Sequence, residues 1–306
     1  FGGTPGEANS VKGIYQDTQA PDLVSYNLIS NQVLLVEFSE IVNEDSALSV
    51  LNYTIEGNSI SSISKDSDKI YMLHFEKIFE DGKTQKLVIN NLTDECGNSK
   101  ELQVDLVWHE VHEYDLVINE IFADESPVVG LPEYEFIEIY NTSDYPIKLE
   151  GFKLKVGNTE KILNNYKIPS HEYLILCSNA AVEFYKEYDN VLGISSFPSL
   201  TNSGTNISLE SSKGVLMDEI IYSSGWYVNE NKKDGGWSLE RVDVTNYCST
   251  VSNWKASQNE IGGTPGEANS VKDIYQDIQA PDLFSYNLIS NQVLLVEFSE
   301  IVNEDS

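Results

Sequence analysis

Cysteine, basic side chains and long apolar runs are all scarce in this chain of 306 residues. Its three cysteines, Cys96, Cys177 and Cys248, allow at most one intrachain disulfide, and none lies in a CxxC pair. HExxH is also missing, so neither usual spacing of a zinc site is present. No apolar run approaches the roughly 18 residues of a membrane-crossing helix, which excludes a helical span in this segment. Lysine and arginine number 19 against 49 aspartates and glutamates, a formal charge of −30. A nucleic-acid backbone is repelled by such a surface, so DNA and RNA are excluded as partners. Neither a G-x-S-x-G elbow nor a phosphate loop occurs, and nothing in the pattern pairs a nucleophile with a base.

What the chain does contain is a near-exact internal repeat. Residues 1–46 recur at 261–306, with differences only at Phe1/Ile261, Gly13/Asp273, Thr18/Ile278 and Val24/Phe284. Four differences in 46 positions, surface positions included, exceed what a shared fold demands and indicate duplication of a 260-residue unit. The expectation is one period plus an overlap from a tandem array, with neither Phe1 nor Ser306 a natural terminus. Eight acidic residues and one lysine fall in the second copy, which leaves 23 net negative charges on residues 1–260. That charge suits a soluble surface and leaves room for divalent cations.

Hydrophobic residues make up 41% of the chain and aromatics 10%, a composition that folds and favours strands over helices. Residues 2–13, rich in glycine, proline and small polar side chains, read as a terminal loop rather than a core element. Period-two segments follow at 22–29, 32–38, 52–56, 60–65, 69–75, 84–90 and 101–108, with a tight turn at Ser30-Asn31. Seven short strands in about 90 residues predict an immunoglobulin-like sandwich. The stretch APDLVSYNLISNQVLLVEFSEIV, with LNYTI and LVINNLTDECGNSKE, resembles bacterial Ig-like domains of surface proteins over residues 20–108. Such domains are spacers, and no catalytic residue travels with the resemblance.

A second set of strands is expected at 116–121, 134–141, 147–149, 152–156, 172–177, 206–210, 215–222 and 236–242, with one short helix at 180–188. The 134–141 strand, interrupted by Glu135 and Glu138, reads as having one partly wet face. INEI at 118–121, the run from Glu135 to Leu154, GGWSLERVD from Gly235, Asn253-Trp254 and GGTPGEANS from Gly262 together resemble the lamin-tail domain of secreted bacterial proteins. The resemblance covers about 115–270, implies a β-sandwich related to the Ig fold, and brings no chemistry of its own. It also implies that residues 1–10 are the tail of a preceding lamin-tail domain.

Candidate sites stand against plainer readings. Asn119, Glu120, Glu135 and Glu138 form an acidic constellation that could serve acid–base chemistry or calcium. Glu135 and Glu138 are three apart on a strand and so point to opposite faces, and a structural role with the Asn119 side chain bonding loop backbone is favoured. Calcium candidates are Asp22 and Asp115 at the module junctions, with Asp66/Asp68, Asp94/Glu95 and Asp124/Glu125 in loops, none at the spacing of a calcium loop. His109 and His112 sit in a linker without companion ligands, and His74 reads as a strand residue. Trp226, Tyr227 and Trp237 are either packing or a glycan-stacking surface. Cys177 and Cys248 are the candidate disulfide pair because they share a domain. Asp45-Ser46-Ala47 resembles a bacterial O-glycosylation signal and marks Ser46. Asn52, Asn91, Asn141 and Asn206 head N-glycosylation sequons.

The resulting expectation is an all-β chain of tandem β-sandwiches: 1–19 the tail of a preceding lamin-tail domain plus linker, 20–108 Ig-like, 109–114 linker, 115–270 lamin-tail, 271–279 linker, and 280–306 the start of the next Ig-like domain. The role that fits is a non-enzymatic repeat segment of a long extracellular surface protein, a stalk, fibre or adhesin shaft. Its partners would be neighbouring repeats and lateral copies, with no cofactor beyond calcium and no membrane span. The alternatives are an adhesin module that binds glycan or calcium, and accessory domains of a secreted hydrolase.

Overall fold

The computed structural model describes residues 17–188, 190–247, 251–273 and 282–298. The chain divides after Glu110 into two compact units. Both are built almost wholly of strands, and among the described residues no helix is long and apolar enough to cross a membrane.

In the first unit the strands are β1 (Leu23–Ser30), β2 (Val33–Phe38), β3 (Tyr53–Ile55), β4 (Ile60–Lys65), β5 (Ile70–Phe75), β6 (Thr84–Ile89) and β7 (Leu102–Val107). They form a sheet of order β1-β2-β5-β4 and another of order β3-β6-β7. Alternation drives the packing: Leu34, Val36 and Phe38 of β2 meet Tyr71, Leu73 and Phe75 of β5 and Leu87 and Ile89 of β6 in one buried core. All seven expected strands are present. The first turn falls at Asn31-Gln32, one residue later than the sequence pattern places it. A short helix, α1 (Glu44–Leu48), starts where the Asn43 side chain accepts the Ser46 backbone N–H.

The second unit opens with β8 (Leu116–Phe122) and β9 (Phe136–Asn141), followed by β10 (Ile147–Lys148), β11 (Lys153–Val156), β12 (Thr159–Ile162), β13 (Lys167–Ile168) and β14 (Tyr173–Ser178). After α2 (Val182–Tyr185) come β15 (Val191–Ile194), β16 (Asn206–Glu210), β17 (Leu216–Ile221), β18 (Leu239–Arg241) and β19 (Trp254–Ala256). A six-stranded sheet, β15-β14-β9-β8-β18-β19, faces a four-stranded one, β12-β11-β16-β17. Between them lie Ile118, Ile121, Ile137, Ile139, Leu154, Leu174, Leu209 and Met217, all fully buried. This is a β-sandwich, as the sequence pattern predicts.

The six-stranded sheet is buried on its other face as well. Phe122 and Phe136 pack there against Ile175, Cys177 and Tyr185 of α2. One sequence expectation is corrected here. Strand β9 has no wet face, because five of its six residues are buried and Tyr140 is half-buried. The glycine- and proline-rich segment at 262–273 packs on the same unit, with Gly262 to Pro265, Asn269 and Val271 buried against this sheet, while residues 2–13, read from the sequence as a terminal loop, lie outside the described residues.

A last hairpin, β20 (Leu283–Ser290) with β21 (Val293–Phe298), repeats the β1–β2 register residue for residue at the 260 offset, Leu283 opposite Phe298 as Leu23 is opposite Phe38.

Candidate functional site

Three glutamates lie side by side across neighbouring strands on the outer face of the six-stranded sheet. Glu138 of β9 is directly opposite Glu120 of β8, and Glu120 is directly opposite Glu240 of β18. All three are fully buried. Like charges in direct cross-strand register repel, and burial adds a desolvation penalty, so this ladder is unstable unless donors or protons meet it.

A β-bulge sets the alignment. The register of β8 slips between Ile118 and Glu120, so that Asn119 and Glu120 both leave the inward-facing series of Leu116, Ile118 and Ile121. The backbone of Ile118 at the bulge is held from the sandwich interior. Its N–H donates to Asp218 Oδ2 at 2.8 Å, and its carbonyl accepts from Arg241 Nε at 2.8 Å. Arg241 also pairs with Asp218 through Nη2 and lies over the Trp254 ring at 5.2 Å. Arg241 and Asp218 are both 1% exposed. Burial raises the Asp218 carboxyl, and the Arg241 charge opposes that rise.

Most of the donors come from residues 262–271, a strap that crosses the ladder, and the rest from Ser238 and Asn119. Glu120 Oε1 accepts the Thr264 N–H at 2.9 Å and the Ser238 hydroxyl at 2.5 Å. Glu138 Oε1 accepts the Asn119 amide at 2.8 Å, and its Oε2 accepts the Gly266 N–H at 2.5 Å. Glu240 Oε1 accepts the Thr264 hydroxyl at 3.0 Å; its Oε2 accepts the Ser270 hydroxyl at 2.7 Å and the Val271 N–H at 3.2 Å. The Asn269 amide donates to the Asn119 and Arg241 carbonyls at 3.0 and 2.7 Å. Body carboxylates thus accept, and strap backbone and hydroxyls donate.

Two glycines permit the close approach. A Cβ on Gly263 would sit 2.6 Å from Glu120 Oε1 and 2.7 Å from Leu131 Cδ1. Gly266 turns the strap at φ +79°, a conformation side-chain-bearing residues avoid.

Desolvation pushes the Glu138 carboxyl up to about 8, against the Gly266 and Asn119 donors. Burial, then the charges of Glu138 and Glu240, hold Glu120 well above the usual carboxylate range. Raised carboxyls of this kind also occur in general acids. Here, however, each one is sealed beneath the strap, and all the carboxylate oxygens except Glu120 Oε2 accept from a protein donor within 3.2 Å.

The other sequence candidates fall into separate places. Glu135 precedes β9 and accepts from the Leu200 N–H at 3.0 Å and the Ser199 hydroxyl, away from the ladder. Asp22 pairs with Lys100 at 2.6 Å, Asp115 accepts the His112 N–H at 2.7 Å, and Asp68 pairs with Lys65 at 2.8 Å. Asp94 closes its loop, its carboxylate taking donors from Cys96 and Asn98. The Ser46 hydroxyl donates to the Asn43 carbonyl and accepts the Thr93 N–H, a bridge that substitution of the oxygen would break. Asn141 is buried and donates to the Tyr145 and Pro169 carbonyls. Among the aromatics, Tyr227 is buried and donates to the Trp237 carbonyl, Trp226 packs near Trp254, and Lys232 caps the Trp237 ring. Cys177 is a buried thiol, which burial pushes up to about 12, and its candidate partner Cys248 lies outside the described residues.

Glu240, Ser238, Thr264 and Asn269 escaped sequence reasoning as site residues. Each nevertheless stands inside one of the segments that carry the lamin-tail resemblance, SLER and GGTPGEANS. Polar residues in separated segments of one signature were the available signal.

Comparison with known proteins bears on the lamin-tail resemblance over residues 112–224, short of both of those segments. No curated protein matches the chain. Among solved structures, the N-terminal part of the bacterial S-layer protein SbsC is 17% identical, with a TM-score of 0.34, covering 67% of this chain and 44% of that one. Domains 1–6 of the same surface-layer protein give 13% identity and a TM-score of 0.29. An L,D-transpeptidase from Mycobacterium smegmatis gives 10% and 0.23, over 57% of this chain and 90% of that one. The chain spans less than half the length of the S-layer structures it matches, 44% and 41%. Residues 112–224 match the family model of the Lamin Tail Domain, a span that holds β8 and β9, two of the three ladder-bearing strands, and ends short of β18 and the strap.

Proposed function

We propose that the chain is a non-enzymatic structural segment of a long extracellular surface protein, in which Ig-like modules (residues 20–108) alternate with lamin-tail modules (115–270) along a stalk, fibre or adhesin shaft. Residues 1–19 and 280–306 then belong to the flanking modules, and neighbouring repeats are the principal partners. One observation carries the reading. The segment that opens the chain is the same segment that, at 262–271, locks a buried glutamate ladder shut. A repeat whose duplicated element serves internal closure multiplies modules rather than active sites. The acidic constellation is also consumed by that closure. A panel of glycosidase, esterase, protease and nuclease substrates tests the reading. No turnover is expected, and turnover abolished by Glu138→Gln or Glu120→Gln overturns it.

A further inference from the structure

The strap reaches the ladder through a short exposed tether. Strand β19 ends at Ala256, and Gln258, Glu260 and Ile261 are exposed before Gly262 enters the sheet face. The strap's contacts all lie in the ten residues after the tether: the N–H groups of Thr264, Gly266 and Val271 and the hydroxyls of Thr264 and Ser270 donate to the carboxylates, and the Asn269 amide donates to the Asn119 and Arg241 carbonyls. Without them Glu120, Glu138 and Glu240 would be left apposed with few donors, so the bare face has a strong and specific demand for a donor-rich strand. Residues 2–11 lie outside the described residues, but their sequence is identical to 262–271, donors and glycines included. The nearest differences, Phe1/Ile261 and Gly13/Asp273, fall outside that ten-residue core.

We propose that the face bearing Glu120, Glu138 and Glu240 is a peptide-binding site for the sequence Gly-Gly-Thr-Pro-Gly-Glu-Ala-Asn-Ser-Val, and that residues 2–11 of a second copy of this chain are a ligand for it. Recognition resides in the strap's own contacts, not in its tether. The cis strap normally holds the site by effective concentration, and exchange with the segment of another copy joins two chains through a contact identical to the internal one. This adds an assembly route to the structural reading and stands or falls separately from it, since it concerns binding and not the absence of turnover.

The test uses the full chain with a specific protease site inserted after Glu260. After cleavage, residues 261–306 are expected to stay with the body through gel filtration, with the near-ultraviolet circular dichroism retained. The cut protein is then unfolded in urea and refolded with excess fluorescent peptide of residues 1–13, which is expected to co-purify with the body. The same peptide with Asn9→Ala leaves the Asn119 and Arg241 carbonyls unmet, and should bind at least about tenfold more weakly. Release of the fragment on cleavage, with the body folded or unfolded, overturns the proposal. So does a body that takes up a 261–273 peptide but not the 1–13 peptide, or one that takes up wild-type and Asn9→Ala peptides equally.

Discussion

Raising the pH should loosen the second unit before it affects the first, because the ladder holds carboxyls that fold with their protons on. The sign follows from linkage. Glu138 titrates near 8 when folded, against 4.5 for an ordinary glutamate. The folded state therefore binds more protons between those values, and the stability contributed below pH 4.5 is lost as pH rises through 8. A difference of that size corresponds to up to about 5 kcal/mol at high pH. Typical domains have only about 5–15 kcal/mol in total, so the loss is a large fraction. Glu120, raised in the same direction, adds to it. Glu138→Gln removes the ionisation and one source of the Glu120 rise, while misplacing one hydrogen bond to Asn119 or Gly266. At pH 5 the variant should be less stable than the parent by about 1–2 kcal/mol. At pH 9 the order should reverse. Urea unfolding followed by tryptophan fluorescence is a suitable assay in a Trp108→Phe background, since the other three tryptophans, Trp226, Trp237 and Trp254, lie in the second unit and Trp108 in the first. A midpoint that stays flat or rises from pH 5 to 9, or a Glu138→Gln midpoint that falls in parallel with the parent, refutes the reasoning.

Asp218→Ala should destabilise the second unit by about 3–5 kcal/mol, because it strands the buried Arg241 charge and the Ile118 N–H; thermal melts of the variant check this. Gly263→Ala forces a methyl against Glu120 Oε1 and Leu131, and a loss of about 1–3 kcal/mol is expected in the same assay, with Gly225→Ala, where the Cβ meets only ordinary contact, as the control. Native Cys177 should resist alkylation at neutral pH while exposed Cys96 reacts, and Cys177 should become alkylated on unfolding without reductant. Labelling of Cys177 only after reduction, read by peptide mass mapping, would instead establish a disulfide.

Much of the architecture was legible in the chain because alternation is a local property. The buried series Leu34, Val36, Phe38 and Tyr71, Leu73, Phe75 needs only the period of two and the turn at Asn31-Gln32 to be read as strands. The main strands of the second unit announce themselves in the same way. Four short strands, β12, β13, β15 and β19, carry two to four residues each, too few for a period to declare itself, and only their neighbours' edges make them strands.

The ladder was a different matter. Asn119, Glu120 and Glu138 are conspicuous in the sequence, but their meaning depends on a cross-strand register and on the bulge that turns Asn119 and Glu120 outward. Glu240 joins them from 120 residues further on, and the strap arrives later still. A period of two tells which residues share a face, and it is silent on what covers that face. Covered by water, the strand 136–141 would have one wet side, as its sequence alone suggests. Covered by Gly262–Val271, the same glutamates are buried and take donors from the strap, and Glu120 and Glu138 keep their protons above the usual carboxylate range. Whether those glutamates read as a surface patch or as a lock was decided by that one long-range contact, because the burial of a polar side chain is fixed by its partner and not by its own strand.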